Sequence, residues 1–194
     1  VGFVFAQCAV GLVVLASLNP TAQLVGWLSV PLVVAYPFMK RLTWWPQAFL
    51  GLTFNWGALV GWTAAHGTLE APALALYAAG FFWTLGYDTI YAHQDKEDDA
   101  LVGIKSTALL LGDRSTPFLW GVFAAMVALL AVALALGDAG VAGYVGLAAV
   151  AVVLGRELRA LDLDDGAECL KRFRMNRDVG LVVFVVLLLG RVGT

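Results

Sequence analysis

The sequence predicts an all-α, polytopic integral membrane bundle of seven transmembrane helices, read as one transmembrane domain over residues 1–194. Three observations predict it. Apolar residues make up 61% of the 194 and charged residues only 13%, against about 25% charged in a usual soluble domain. Near-continuous apolar runs recur along the chain, and a helix needs roughly 20 residues to cross the hydrocarbon core, fewer if its ends snorkel or the bilayer thins. The charges are sorted into a few connections instead of being dispersed.

The seven runs cover about 2–18, 24–39, 46–65, 71–92, 117–136, 139–155 and 178–193. They do not alternate polar with apolar residues, which excludes transmembrane strands. No linker-like stretch separates them, so one bundle is expected. Of the twelve Lys and Arg residues, eleven fall in the connections after the second, fourth and sixth runs, and only Arg191 near the other side. The positive-inside rule makes the first side cytoplasmic. The opposite connections, "SLNPTAQ", "HGTLEAP" and "GDAG", are short and nearly uncharged. Trp44 and Trp45 beside Lys40 and Arg41 suit an interfacial aromatic belt. The net charge of −2 therefore says little about partners, and nothing points to nucleic acid.

Cys8 lies within a run and Cys169 on the cytoplasmic side, so no disulfide between them is expected. His66 and His93 are isolated and lack metal-type spacing. Val1 already stands inside an apolar run, without an initiator Met, basic leader or cleavage site, and the chain reads as a fragment.

The stretch "YDTIYAHQDKEDDALVGIKSTALLLG", residues 87–112, gathers five carboxylates within twelve residues: Asp88, Asp95, Glu97, Asp98 and Asp99. At about 100° per residue, a continuing helix would put Asp88, Tyr91, Asp95 and Asp99 within roughly 80° of one another. Asp95 and Asp99, at i and i+4, repel unless a cation lies between them. Mg²⁺ suits such a pair, because it takes a few carboxylates plus substrate phosphates. Glu97 and Asp98 fall off that face and read as solvated. Asp88, inside the run, is a functional candidate because desolvating a carboxylate is costly.

At the same membrane level, "YPFMKRLTWWP" places Tyr36 and Lys40 at i and i+4. Lys40 and Arg41 either grip an anion together with metal on the carboxylates, a diphosphate being the natural fit, or snorkel and set topology.

The stretch "DTIYAHQDKEDDALVGIKSTA" resembles the second aspartate-rich motif of the UbiA-type membrane prenyltransferases. "YPFMKRLTWWPQAFLGLTFNWGALVGW" resembles the segment before it, with the Tyr-x-x-x-Lys pattern at Tyr36 and Lys40. "CLKRFRMNRDVG" resembles the lead-in to the last helix, and "GIKSTA" points to the 4-hydroxybenzoate polyprenyltransferase branch. The resemblance implies Mg²⁺-dependent transfer of a polyprenyl group from polyprenyl diphosphate to the ring carbon ortho to the hydroxyl of 4-hydroxybenzoate, in ubiquinone biosynthesis. It implies a bacterial inner membrane enzyme with its site facing the cytoplasm. Asp95 and Asp99 would hold diphosphate through Mg²⁺, with Lys40 and Tyr36 beside them. Asp88 and Tyr91 would line the pocket, and Arg41 would meet the acceptor carboxylate. Lys105 would cover the pocket or cap structure, and Asn55 would contact substrate or bond between helices. The family has nine helices and two aspartate-rich motifs. The seven runs match helices three to nine, and the first motif, expected between helices two and three, is absent. The acidic "DLDDGAE" at residues 162–168 lacks that pattern and reads as solvated surface. The chain alone is therefore expected to be inactive.

Two alternatives stand beside this reading. A related prenyltransferase would take another acceptor, such as homogentisate, naphthoate, haem or chlorophyllide. A seven-helix transporter or receptor would carry ionisable residues deep in several spans, whereas here the acidic stretch sits at one face.

Overall fold

Proline, asparagine and glycine punctuate the helices as local chemistry dictates. The computed structural model describes residues 2–191. Eleven helices follow in order: α1 Gly2–Ser17, α2 Pro20–Leu28, α3 Val30–Leu42, α4 Pro46–Phe54, α5 Gly57–His66, α6 Ala71–Gln94, α7 Lys96–Val102, α8 Thr107–Leu111, α9 Ser115–Leu136, α10 Val141–Arg159 and α11 Gly166–Arg191. Pro20 and Pro46 open their helices, where the missing N–H costs nothing. Asn19 caps α2 by accepting from the Ala22 N–H at 2.9 Å. Gly67 and Gly103, both at φ 77°, end α5 and α7 in the left-handed conformation that glycine adopts without strain.

Among the described residues the seven apolar runs fall mainly on helix, two of them broken, while residues 192–193 of the last run lie outside the described residues. Between α2 and α3 the ring of Pro31 cannot donate to the carbonyl of Trp27. Ser29 turns its N–H to the Gly26 carbonyl at 3.1 Å. The carbonyl of Val25, which a continuous helix would satisfy from Ser29, instead accepts the Trp56 indole N–H at 2.8 Å. Within the bilayer such a freed carbonyl needs a partner from a neighbouring helix. Between α4 and α5, Asn55 folds its amide back to the Gly51 carbonyl at 2.9 Å, and the helix stops. Among the described residues three stretches are long and apolar enough to cross a membrane by length and composition: Pro20–Leu42, Thr107–Leu136 and Val141–Arg159.

Helix α6 is the axis of the packing, touching α9, α4 and α11. Leu119, Val122, Phe123, Met126 and Leu130 of α9 recur on one face and are buried with Leu85 and Ile90 of α6. Gly86 admits that face: a Cβ there would lie 2.8 Å from Cζ of Phe123. On the far side of α9, Gly143 of α10 meets Gly190 of α11, and a Cβ on Gly143 would stand 3.2 Å from the Gly190 Cα. Small residues allow such close approach, which matters in lipid because apolar surface gains little by leaving other apolar surface. Large apolar side chains such as Phe3, Val34, Val145 and Leu181 face outward.

The two ends differ in chemistry. At one end Lys105 donates its backbone N–H to the Lys40 carbonyl at 2.9 Å, and Gly166 lies against Gln94. This end collects the connections that carry eleven of the twelve cations. At the other end Asn19 donates to the carbonyls of Thr63 and Ala64 at 2.8 and 3.1 Å, and Gly140 donates to Gly190 at 2.8 Å. The acidic residues 162–168 are only partly solvated surface. Asp165 accepts from the N–H groups of Ala167 and Glu168 at the start of α11, and Glu168 pairs with Arg172, which also reaches Glu157.

Candidate active site

The acidic stretch departs from a continuous helix. Helix α6 carries Asp88 and Tyr91 and ends at Gln94; Asp95 sits at φ −101° and ψ 6°, and α7 restarts at Lys96. The break leaves the one-turn spacing of the pair intact, since the Asp99 N–H donates to the Asp95 carbonyl at 2.8 Å. Asp95 and Asp99 are half-buried, whereas Glu97 and Asp98 are exposed, as their sequence positions predict.

Helix α3 faces this stretch with Tyr36 and Lys40. The Lys40 charge acts on both Asp88 and Asp99, Asp88 acts on Tyr36, and Tyr91 lies in the field of Asp95, Asp88 and Asp99. Burial holds the Asp99 carboxyl above the usual carboxylate range; Lys40 partly offsets this, and Asp95 and Asp98 add to it. Among the described residues, neither Lys40 nor Asp88, Asp95 or Asp99 closes an ion pair. Six expected residues thus converge: Tyr36, Lys40, Asp88, Tyr91, Asp95 and Asp99. Among the described residues no three His, Cys, Asp or Glu side chains gather at one metal position.

Three expected residues stand outside this cluster. Arg41 is exposed at the end of α3. Lys105 caps that end: its ammonium donates to the Leu42 carbonyl at 3.3 Å and lies 5.7 Å from the Trp44 ring centroid. Asn55 donates to Thr84 of α6 at 2.8 Å, the interhelical bond that an amide inside a span suggests.

Asn55 also lines a cavity of about 950 Å³ between α4, α6 and α11, with Phe54, Trp83, Tyr87, Phe173 and Asn176. Lys171, Arg174, Arg177 and Asp178 also line it, so its wall is part aromatic and part charged. Trp83 donates its indole N–H to Asn176 at 2.8 Å, fixing the wall. Tyr87 and Tyr91 both pack on Phe173, with centroids 5.7 and 4.7 Å apart, and so connect this wall to the acidic stretch. A second cavity of about 310 Å³ shares Phe54, Asn55 and Trp83 and continues past Gly57, Leu130 and Val183. The arrangement offers charged and polar groups at one membrane face beside an apolar path running inward. Sequence reasoning missed the aromatic wall, whose residues belong to helices far apart in the chain, and the buried polar groups Gln47, Thr89 and Thr107 beneath the acidic stretch. The Ser and Thr of "GIKSTA" were the available signal for the latter.

The chain is 48% identical over 98% of its length to the mitochondrial 4-hydroxybenzoate polyprenyltransferase of Arabidopsis thaliana, covering 47% of that protein. It is 47% identical over 97% of its length to the Rattus norvegicus protein of the same name, covering 50% of it. The chain therefore spans about half the length of the curated relatives it matches. Those relatives are named mitochondrial, which does not fit the bacterial inner membrane that the sequence suggested; the coarser assignment, an integral membrane protein, stands. In fold it matches the apo structure of a UbiA homolog from Aeropyrum pernix K1, with a TM-score of 0.79 and 26% identity over 96% of this chain and 70% of that one. A digeranylgeranylglyceryl phosphate synthase structure gives a TM-score of 0.76 at 17% identity, covering 97% of this chain and 68% of that one, a likeness of fold alone. Residues 1–186 match the UbiA prenyltransferase family, and with a UbiA-type helical bundle and close relatives over nearly its whole length, the chain belongs to that family.

Proposed function

We propose that the protein carrying this chain transfers a polyprenyl group from polyprenyl diphosphate to the ring carbon ortho to the hydroxyl of 4-hydroxybenzoate, a step of ubiquinone biosynthesis, at the positively charged face of its membrane. The observation that carries the reading is the pair Asp95 and Asp99 opposed to Lys40, next to a partly aromatic cavity. The names of the relatives support the acceptor.

Asp95 and Asp99 would hold Mg²⁺. The donor set suits a cation that takes one or two carboxylates and fills its remaining positions from phosphate and water. The chemistry it supplies when bound is neutralisation of the charge on the departing diphosphate. Lys40 and the Tyr36 hydroxyl donate to the same diphosphate and favour the state in which its charge is greatest. Asp88 and Tyr91 line the head of the site. The isoprenoid tail lies along Trp83, Phe54 and the groove below, where apolar walls keep water from the allylic cation. Arg41 meets the acceptor carboxylate, and the ring carbon attacks the cation and then loses its proton.

The test is a prenylation assay of the complete polypeptide in membranes, with a polyprenyl diphosphate and 4-hydroxybenzoate. Ring-prenylated 4-hydroxybenzoate that disappears with EDTA is the expected product. Turnover confined to homogentisate or a dihydroxynaphthoate would overturn the acceptor, and no dependence on divalent metal would overturn the role of the carboxylates.

A further inference from the structure

Beneath the acidic stretch lies a set of polar side chains away from solvent: Gln47 is 3% exposed, and Thr89 and Thr107 are 0% exposed. The Thr107 backbone N–H donates to Oε1 of Gln47 at 3.1 Å. The hydroxyls of Thr89 and Thr107 are 2.8 Å apart. Thr89 gives its one hydroxyl hydrogen to the Leu85 carbonyl at 2.6 Å, so Thr107 is the donor between the two. One residue, Thr107, thereby joins the first turn of α4 to the last turns of α6. Two residues earlier, Lys105 binds the carbonyls of Lys40 and Leu42 at the end of α3.

The segment 95–107 is therefore anchored at both ends to α6: covalently at Asp95, and through Thr89 at Thr107. The same anchor holds the backbone of Lys40. No ion pair joins Lys40 to Asp95 or Asp99 among the described residues, and the backbones that carry them are linked through Lys105 and Thr107. Buried hydroxyls and amides left unpaired are costly, and a slip of α8 that put Ala108 in place of Thr107 would remove the hydroxyl bond to Thr89. The Gln47 bond uses a backbone N–H, so it is the Thr107 hydroxyl that marks the register.

We propose that Gln47, Thr89 and Thr107 are positioning residues: their buried tie sets the distance between Lys40 and the Asp95–Asp99 pair. The proposal rests on the reading of that pair as the metal and diphosphate site.

The experiment compares Thr107→Val, which keeps the shape and loses the hydroxyl, with Thr107→Ser, which keeps the hydroxyl. The complete polypeptide is reconstituted in nanodiscs. Binding of Mn²⁺ alone is read by electron paramagnetic resonance, and kcat and KM are measured for both substrates. Thr107→Val should weaken Mn²⁺ binding about tenfold and lower kcat about tenfold, leave KM for the aromatic acceptor near normal, and be rescued in both by Thr107→Ser. Wild-type Mn²⁺ binding and kcat in Thr107→Val would overturn the tie. So would equal losses in the Val and Ser variants that track only the amount of folded protein. If Thr107→Val fails to accumulate, Thr89→Val and Thr89→Ser are read by the same criteria. Failure of the wild-type protein to bind Mn²⁺ or prenylate would instead overturn the underlying site assignment, and the tie with it.

Discussion

The two sides of α6 are joined by different mixtures of contact. Toward α9 and α11 it is mainly apolar side chains and small residues, with Leu119 and Met126 fully buried and Phe123 over Gly86, plus two side-chain bonds, Trp83 to Asn176 at 2.8 Å and His93 with Ser115 at 2.9 Å. Toward α4 and α8, apolar contact such as Phe81 against Gly51 is joined by bonds from Asn55 to Thr84 and from Thr107 to Thr89; Thr107 also ties α8 to Gln47 of α4, and Lys105 binds the end of α3. In lipid, apolar contact is available everywhere, so it fixes how close two helices come more firmly than their register. Directional bonds fix register. Apolar contact predominates along the α9 side, and the buried hydroxyl and amide bonds cluster on the side of α4 and α8.

The comparison breaks most sharply at the carboxylates. Asp95→Asn or Asp99→Asn, measured by steady-state kinetics in the complete polypeptide, should lower the rate on the order of 10²–10³, with the helical content unchanged by circular dichroism. A near-normal rate would separate the polar side from the chemistry. Next comes Cys169, a buried thiol on the polar end of α11. Burial, with Asp165 and Asp162 following, pushes it up to about 11. At pH 8 its alkylation by maleimide should be roughly 10²-fold slower than that of a free thiol. A raised thiol adds stability that is present below its ordinary 9.0 and lost as pH rises through about 11. Mass spectrometry of labelled protein and unfolding curves taken across that window check both statements.

A smaller effect is expected on the apolar side. Gly86→Val drives side-chain atoms into Phe123 and should cost about 1–3 kcal/mol of stability, read from thermal unfolding in detergent. Gly57→Ala, whose Cβ meets nothing within 4 Å, should cost nothing in the same assay. The mildest test is Arg41→Ala. It should raise KM for 4-hydroxybenzoate about tenfold and leave KM for the diphosphate near normal. A change confined to the diphosphate would move Arg41 into the same clamp as Lys40.

What the sequence made legible follows the same division. Among the described residues the seven apolar runs fall mainly on helix, because burial in lipid selects composition residue by residue. Tyr36 with Lys40 and Asp95 with Asp99 were legible because each pair lies within one turn. The breaks at Ser29 and Asn55 were not, since an apolar run carries no record of which carbonyl finds which donor; Pro31 was the only local hint. The helix expected to continue through Asp95 stops there, although the spacing of the pair survives. Gln47 and Thr107 are 60 residues apart in sequence, and neither looks unusual by itself. Lys105 finds its partner carbonyl 63 residues away, which no local pattern records.

Those separations bear on the order in which the chain matures. A helix and its immediate neighbour can insert and pair as they emerge, but the bonds from Lys105 to Leu42 and from Thr107 to Gln47 close loops of about sixty residues. Such closures come late, because their entropy must be lost before any bond repays it. The face that carries Lys40, Asp95 and Asp99 is thus assembled after the helices that flank it. A lesion in the tie should then leave a protein that is inserted, correctly oriented and protease-resistant in its spans, yet still cleavable between residues 95 and 107. To cellular surveillance such a molecule would differ from the mature one only at that exposed strip.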